Sequence, residues 1–166
     1  MYNNKDYYIN LLTNYPEEVP DLHEKIINMD LPRTYQEENI DKSTMQKLKN
    51  ILVAYSRRSS SIGYCQGFNF LAARVLSIID NEEKAFWVFV QLIENLLPIN
   101  YYSEMAGVMI DSTILNKLII HYLPELYNYM KERECQIYLS NFIFKWLISL
   151  YVQSIPRDVI FIIIYN

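Results

Sequence analysis

Glycine is scarce in this chain, and that scarcity limits the folds that it can adopt. Only three of the 166 residues are glycine, whereas an average protein contains about 7%. Tight hairpins and the glycine-rich loops that cradle phosphates both depend on glycine, so an all-β fold and a nucleotide-binding loop are disfavoured. Because 51% of the residues are hydrophobic and 20% are charged, the chain is not a disordered linker either. These properties indicate a single globular domain that is mostly helical.

Apolar residues spaced three and four apart predict about seven helices and no pair of alternating strands. The first clear helix can be capped by Asp41 or Ser43. A buried helix follows over 70–79. The next predicted helix is capped by Asn81 and ends before Pro98. Two further apolar stripes consist of Ile114, Leu115, Leu118, Ile119, Tyr122 and Leu123, and of Phe142, Trp146, Leu150 and Tyr151.

The charge balance and the cysteine pattern disfavour several classes of function. The formal net charge is −4, which makes binding to nucleic acid phosphates a poor expectation. Cys65 and Cys135 lie far apart and form no metal-ligand pair, and two histidines alone do not make a zinc site. The N-terminus has no apolar stretch of signal-peptide length, and no run reaches the ~18 residues of a membrane span. The sequence therefore predicts a cytoplasmic protein with reduced thiols and no metal.

The end of the sequence is unusually apolar. Residues 159–165 read Val-Ile-Phe-Ile-Ile-Ile-Tyr, whereas chain ends are commonly polar and loosely held. A segment that is apolar on every side needs neighbours on all faces. It lies in the centre of the domain or packs against chain outside this sequence, and we favour the second interpretation, in which the domain is incomplete.

An arginine follows a proline within the segment 26–35. A short helix is expected to run to Asp30 and to break at Pro32, because the residue before a proline is pushed out of the helical region. Arg33 would then lie in a loop, with Asp30 close enough to hold its guanidinium. An arginine in such a loop is commonly a solvated surface residue, so this segment alone identifies no function.

Two of the three glycines flank a second polar residue. Gly63 and Gly67 enclose three residues that include Gln66, and glycine permits the positive φ of a tight turn into a helix. Gln66 offers both an amide donor and a carbonyl acceptor at this bend. Two glycines before a helix often form only a loop with a solvated glutamine, and that interpretation also stays open.

Taken together, the two segments carry a pattern that neither carries alone. Its residues are Ile27, Asp30 and Arg33 in the first segment and Tyr64, Gln66, Gly67 and Asn69 in the second. This pattern resembles the paired signature of TBC domains, the Rab GTPase-activating proteins. The similarity continues in later stretches, such as 122–127 and 146–151, and spans about positions 19 to 161.

The resemblance implies an all-α, multi-helix, V-shaped TBC-type domain that is incomplete at both ends. Residues 1–18 would be a lead-in, and residues 19–80 would carry both catalytic residues. Residues 81–166 would form the helices that follow, truncated before the end of the domain.

The resemblance also implies roles for single residues. Arg33 would reach the β/γ-phosphate region of a GTP-bound, Rab-type small GTPase as an arginine finger, and Gln66 would orient the attacking water as a glutamine finger. Asp30 would restrain Arg33, and Ile27 would anchor the helix in the core. The residues expected to shape the glutamine loop are Tyr64, Gly67 and Asn69, with Asn69 foremost a helix cap. GTP and Mg²⁺ would belong to the partner, so we expect no cofactor and no catalysis by this chain alone.

Three neighbouring residues receive structural interpretations. Arg57 and Arg58 end an amphipathic helix, where a charged pair is usually solvated. Cys65 lies inside the glutamine motif and is assigned no nucleophilic function.

Two departures from the family keep other functions open. Nothing like an Arg-Gly-x-x-Trp pattern precedes Val19, and residues 162–165 replace an Arg-Ile-Trp-Asp-like element. A catalytically silent module that binds a Rab or another trafficking factor is therefore an alternative. A helical scaffold whose motif residues serve only folding is another. The expected location is the cytoplasm, with recruitment to endomembranes through partners.

Overall fold

The structure, a computed structural model, describes residues 6–14, 21–35 and 40–155. All regular elements within these ranges are helical, which confirms the all-α prediction, whereas the apolar segment 159–165 lies outside them. The α-helices in these ranges are α1 (Tyr7–Thr13), α2 (Leu22–Thr34), α3 (Lys42–Arg58), α4 (Phe68–Ile78), α5 (Glu82–Gln91), α6 (Ala106–Tyr122), α7 (Pro124–Glu132) and α8 (Gln136–Ile148). A π-helical turn, Leu92–Leu96, continues α5, and a 3₁₀ turn, Ser103–Met105, precedes α6.

Side-chain caps start the helices that the sequence marks most clearly. Asp41, rather than Ser43, caps α3, because its Oδ1 accepts a hydrogen bond from the Thr44 backbone N–H at 2.8 Å. Asn81 caps α5 by accepting from the Lys84 backbone N–H at 2.9 Å. Each cap satisfies a backbone donor that has no partner inside the helix.

The last helix ends earlier than its apolar stripe predicts. α8 stops at Ile148, and the predicted helical residues Leu150 and Tyr151 adopt positive φ angles of 47° and 64°. Ser149 is fully buried, and its hydroxyl donates to the Lys145 carbonyl at 2.9 Å. Such a bond back to the preceding turn competes with continuation of the helix.

The chain divides into two compact units, residues 1–97 and 98–166. In the first unit, α3 packs against α1, α2, α4 and α5. In the second unit, α6 packs against α8 and α7. Among the helices of 6–14, 21–35 and 40–155, none is both long enough and apolar enough to cross a membrane.

Three aromatic rings from three helices form the centre of the first unit. Tyr55 of α3, Phe68 of α4 and Phe89 of α5 are each at most 1% exposed. Their rings meet edge to face, with centroids 5.1 to 5.6 Å apart, a geometry that aromatic quadrupoles favour. Phe68 is the first residue of α4, so this cluster fixes the start of that helix and the loop before it.

The prediction that Arg57 is solvated is wrong. Its side chain is only 12% exposed, and its guanidinium donates to Asp21 at 3.1 Å and to Glu24 at 3.2 Å. It also donates to the carbonyl oxygens of Leu11 and Leu12, each at 3.0 Å. These carbonyls end α1 and these carboxylates begin α2, so one side chain joins the ends of three helices.

Arg58 is also buried against partners rather than solvated. It is 13% exposed and forms a two-bond contact with Glu94, at 2.8 and 2.9 Å. Its guanidinium lies 5.6 Å from the ring centroids of Tyr7 and Trp87. The hydrogen bonds to Glu94 raise the pKa of Arg58 further above its usual value, so this arginine stays charged and paired.

Candidate functional site

The arginine of the predicted pair lies in the last turn of α2 rather than in a loop. α2 continues through Pro32 and ends at Thr34, so the expected break at the proline is wrong. The Thr34 hydroxyl donates to the Asp30 carbonyl at 3.1 Å, and Leu31 is 7% exposed. Pro32 has no N–H to donate to the Asn28 carbonyl, so the burial of Leu31 and the Thr34 bond support the helix past this lost backbone bond.

Asp30 is the buried centre of the site. It is 3% exposed, and one carboxylate oxygen accepts a hydrogen bond from the Arg33 guanidinium. The other oxygen accepts from the Tyr64 hydroxyl at 2.8 Å. Burial, followed by this hydrogen bond, raises the pKa of Tyr64, so the phenol remains a donor. Asp30 therefore connects the arginine on α2 with the loop that contains Gln66.

Gln66 is the one exposed residue of the segment 63–69. Residues 63–65 and 67–69 on either side of it are buried. The loop turns through Gly63 at φ 63° and Gly67 at φ 106°, angles that side chains other than glycine rarely adopt. Both glycines are therefore required by the backbone path that leaves the Gln66 amide facing outward.

Asn69 joins the far side of this loop to α2. Its Nδ2 donates to the Thr34 hydroxyl at 2.8 Å, and its Oδ1 accepts from the Gly67 backbone N–H at 3.2 Å. The expectation that Asn69 caps the helix is wrong, because Gly67 occupies the cap position and Asn69 lies in the first turn. Asn69 is 1% exposed, so both of its bonds form away from water.

Two bridges therefore hold the end of α2 and the loop of Gln66 in one arrangement. The first runs from Arg33 through Asp30 to Tyr64, and the second runs from Thr34 through Asn69 to Gly67. Ile27, which is fully buried, fixes the same face of α2 in the core. The buried groups face inward, whereas Gln66 is exposed and the Arg33 side chain is 54% exposed.

Sequence reasoning missed two residues of this site, His23 and Thr34. The Tyr64 backbone N–H donates to Nδ1 of His23 at 3.2 Å. The signal that could have identified them is helical spacing. Four residues recur at intervals of four, three and four and share one face of α2: His23, Ile27, Asp30 and Thr34. Continuing α2 through the proline brings Thr34 onto this face.

The arrangement offers a cation and an amide but no nucleophile of its own. Within the described residues, no cluster of three or more His, Cys, Asp or Glu side chains is placed to hold a metal ion. Cys65 is 4% exposed, and burial raises the pKa of its thiol to about 12. The thiolate is the reactive form of cysteine, so this thiol is inert at neutral pH.

We expect the two cysteines to react with a thiol reagent at very different rates. In the folded chain, Ellman's reagent at pH 8 should label Cys135, which is partly exposed, and should reach Cys65 only after unfolding. At that pH only about 10⁻⁴ of a thiol with a pKa near 12 is ionised. The Cys135→Ser variant is the control, and rapid reaction of that variant while folded would contradict the burial of Cys65.

Comparison with known proteins gives the same family along nearly the whole chain. The family model described as the Rab-GTPase-TBC domain matches residues 2–164. TBC1 domain family member 2A of Bos taurus is 33% identical over 139 residues, which is 81% of this chain and 15% of that protein. Growth hormone-regulated TBC protein 1-A of Danio rerio is 30% identical over 162 residues, or 95% of this chain and 44% of that protein. The chain thus spans less than half the length of these relatives.

A solved structure shares the fold. The Ypt/Rab-GAP domain of Gyp1p superimposes with a TM-score of 0.75 at 21% identity, and the match covers 93% of this chain and 56% of that one. At this level of identity the likeness supports the fold alone.

Proposed function

This chain belongs to the Rab-GTPase-TBC domain family, and on that premise we propose that it activates a Rab-type small GTPase with Arg33 and Gln66. One observation carries the proposal beyond the family. The two residues come from α2 and from the loop before α4, yet Asp30 and Tyr64 connect Arg33 with that loop through a hydrogen-bonded bridge. An exposed cation and an exposed amide on connected elements match the two needs of GTP hydrolysis on a partner.

Arg33 would supply positive charge to the phosphates. Negative charge on the transferring phosphoryl group must be stabilised in the transition state, and an arginine given in trans is worth about 10³ to 10⁵ in kcat. The planar guanidinium can bond two oxygens at once. Because Asp30 already accepts from one of its nitrogens, the side chain is partly oriented before the partner arrives, which lowers the entropy lost on binding.

Gln66 would orient the attacking water. A primary amide accepts from one water proton through its oxygen and donates to a phosphate oxygen through its nitrogen. The buried residues before and after Gln66 hold the backbone on both sides, so only the side chain has to adapt. The nucleotide and Mg²⁺ would be bound by the GTPase in its GTP-bound form, and this chain would carry no cofactor.

The setting that we propose is vesicle trafficking in the cytoplasm. The chain would reach endomembranes through its GTPase or other partners. Its net charge of −4 and isoelectric point near 5.2 do not favour nucleic acid as a partner.

The experiment is single-turnover GTP hydrolysis by a panel of purified Rab proteins, with this chain in excess. We expect acceleration of one or a few members, and loss of it in the Arg33→Ala/Gln66→Ala variant. The matched control is Arg133→Ala/Gln91→Ala, which removes the same residue types at exposed positions that take no part in the bridge and should keep the acceleration.

Two results would count against the proposal. Rab binding without acceleration across the panel would favour the silent binding module. Acceleration that survives loss of both side chains would remove their assigned roles.

A further inference from the structure

His23 contacts the loop that carries Gln66 from the side of α2. The Tyr64 backbone N–H donates to its Nδ1 at 3.2 Å. A backbone amide can only donate, so Nδ1 accepts this bond through its lone pair. Tyr64 is buried, and an amide hydrogen that lost this acceptor there would pay the cost of an unsatisfied buried donor.

The same ring fills the space beside Gly63. A Cβ atom at Gly63 would lie 2.3 Å from Cε1 and 2.4 Å from Nε2 of His23, far inside van der Waals contact. Gly63 adopts φ 63° and donates its N–H to the Ser59 carbonyl at 2.6 Å. The His23 ring therefore packs against Gly63 and accepts a hydrogen bond from Tyr64, and these two contacts on consecutive residues set where the loop begins.

We propose that His23 is a positioning residue for Gln66, acting through the backbone at Gly63 and Tyr64. The inference rests on the proposed function, because it concerns the placement of the amide that orients water. Other side chains contact other parts of the loop. The Tyr64 hydroxyl bonds Asp30 at the tip of a side chain, and Asn69 holds Gly67 after Gln66. His23 fixes the backbone on the side before Gln66.

The expected effect is on turnover rather than on association. A displacement of about 1 Å in a catalytic group can cost about 100-fold in rate. His23 is only partly exposed and packs under the loop, so we do not place it in contact with the GTPase. Its loss should lower the maximal hydrolysis rate and leave the half-saturating concentration of the chain nearly unchanged.

Three substitutions at His23 separate a hydrogen bond from simple packing. In His23→Asn the side-chain oxygen is attached to Cγ, as Nδ1 is in histidine, so it can replace that acceptor. In His23→Gln the oxygen is one bond farther from Cβ, at the distance along the side chain that Nε2 has in histidine. His23→Leu offers no acceptor. Using a responsive Rab, we expect about 10- to 100-fold lower maximal rates for the Leu and Gln variants, and recovery of most of the rate with Asn. Equal rates for Asn and Gln would overturn the inference.

A double-mutant cycle tests whether His23 acts through Gln66. In the Gln66→Ala background there is no amide left to position, so His23→Leu should cause little further loss, whereas independent effects would multiply. An unchanged loss in that background would also overturn the inference. Thermal unfolding of each variant verifies that the compared proteins are folded.

Amide hydrogen exchange measured by NMR keeps this inference separate from the proposed function. Exchange at Tyr64 should accelerate in His23→Leu and stay slow in His23→Asn, whether or not any Rab responds. If no Rab responds to the unsubstituted chain, the proposed function is wrong, and so is the claim that His23 positions a catalytic Gln66. Accelerated exchange would still support the anchoring of the loop by His23. Unchanged protection of Tyr64 in His23→Leu would overturn the anchoring itself.

Discussion

Replacing Arg33 with alanine should lower the stimulated rate of GTP hydrolysis by about 10³-fold or more, because an arginine supplied in trans contributes that much in phosphoryl transfer. Arg33→Lys should recover little of it. Lysine keeps the charge but not the planar fork that bonds two oxygens. Its ammonium group would also bond Asp30 with a different geometry. The measurement is single-turnover hydrolysis at saturating chain. Binding to the GTPase loaded with a non-hydrolysable GTP analogue should survive both substitutions.

Substitution of Arg33 also lowers the stability of the fold, because it removes the charged partner of Asp30. Asp30 is 3% exposed, so losing Arg33 leaves a buried carboxylate with the Tyr64 hydroxyl as its remaining side-chain bond. That destabilises the fold by itself. Adding Asp30→Asn removes the charge and keeps an acceptor for Tyr64, so the double variant should regain stability without regaining activity. Recovery of both would show that Arg33 matters only for folding.

The local features of this fold could be predicted from sequence because short-range chemistry determines them. Asp41 and Asn81 bond backbone amides three residues ahead, a distance that is fixed once a helix starts. The spacing of Gly63 and Gly67 likewise predicts a shaped turn, and the structure has positive φ at both. The combined arginine and glutamine motifs identified the family, which the comparisons confirm.

The remaining features depend on partners far away in sequence. The rule that a helix breaks at proline failed at Pro32, because Leu31 is buried and Thr34 bonds back to Asp30. His23 looked unremarkable because its partner, Tyr64, is 41 positions later. Local propensity is a weak guide wherever such contacts outweigh it. The site residues that sequence alone reveals are those inside a motif, and those that support them from outside need the fold.

Arg57 shows the same limit and gives a large expected effect on stability. Arg57→Met keeps an apolar stem in place but removes the guanidinium donors that reach Asp21, Glu24 and the two carbonyls at the end of α1. Removing one partner of a buried ion pair typically costs 3 to 5 kcal/mol, and the slight exposure here favours the lower end, about 3 kcal/mol. Denaturant unfolding followed by fluorescence measures this cost.

The two units make the choice of reporter decisive for this measurement. Trp87 lies in the first unit with Arg57, and Trp146 lies in the second, so Trp146→Phe should serve as the parent and leave Trp87 as the probe. In that parent, Lys25→Met, which changes an exposed cation of the same unit, should change stability by less than about 0.5 kcal/mol. A similarly small change for Arg57→Met would mean that the helix ends are held without it. A large one would show that an arginine assigned to solvent from sequence fixes the start of α2, the helix that carries Arg33.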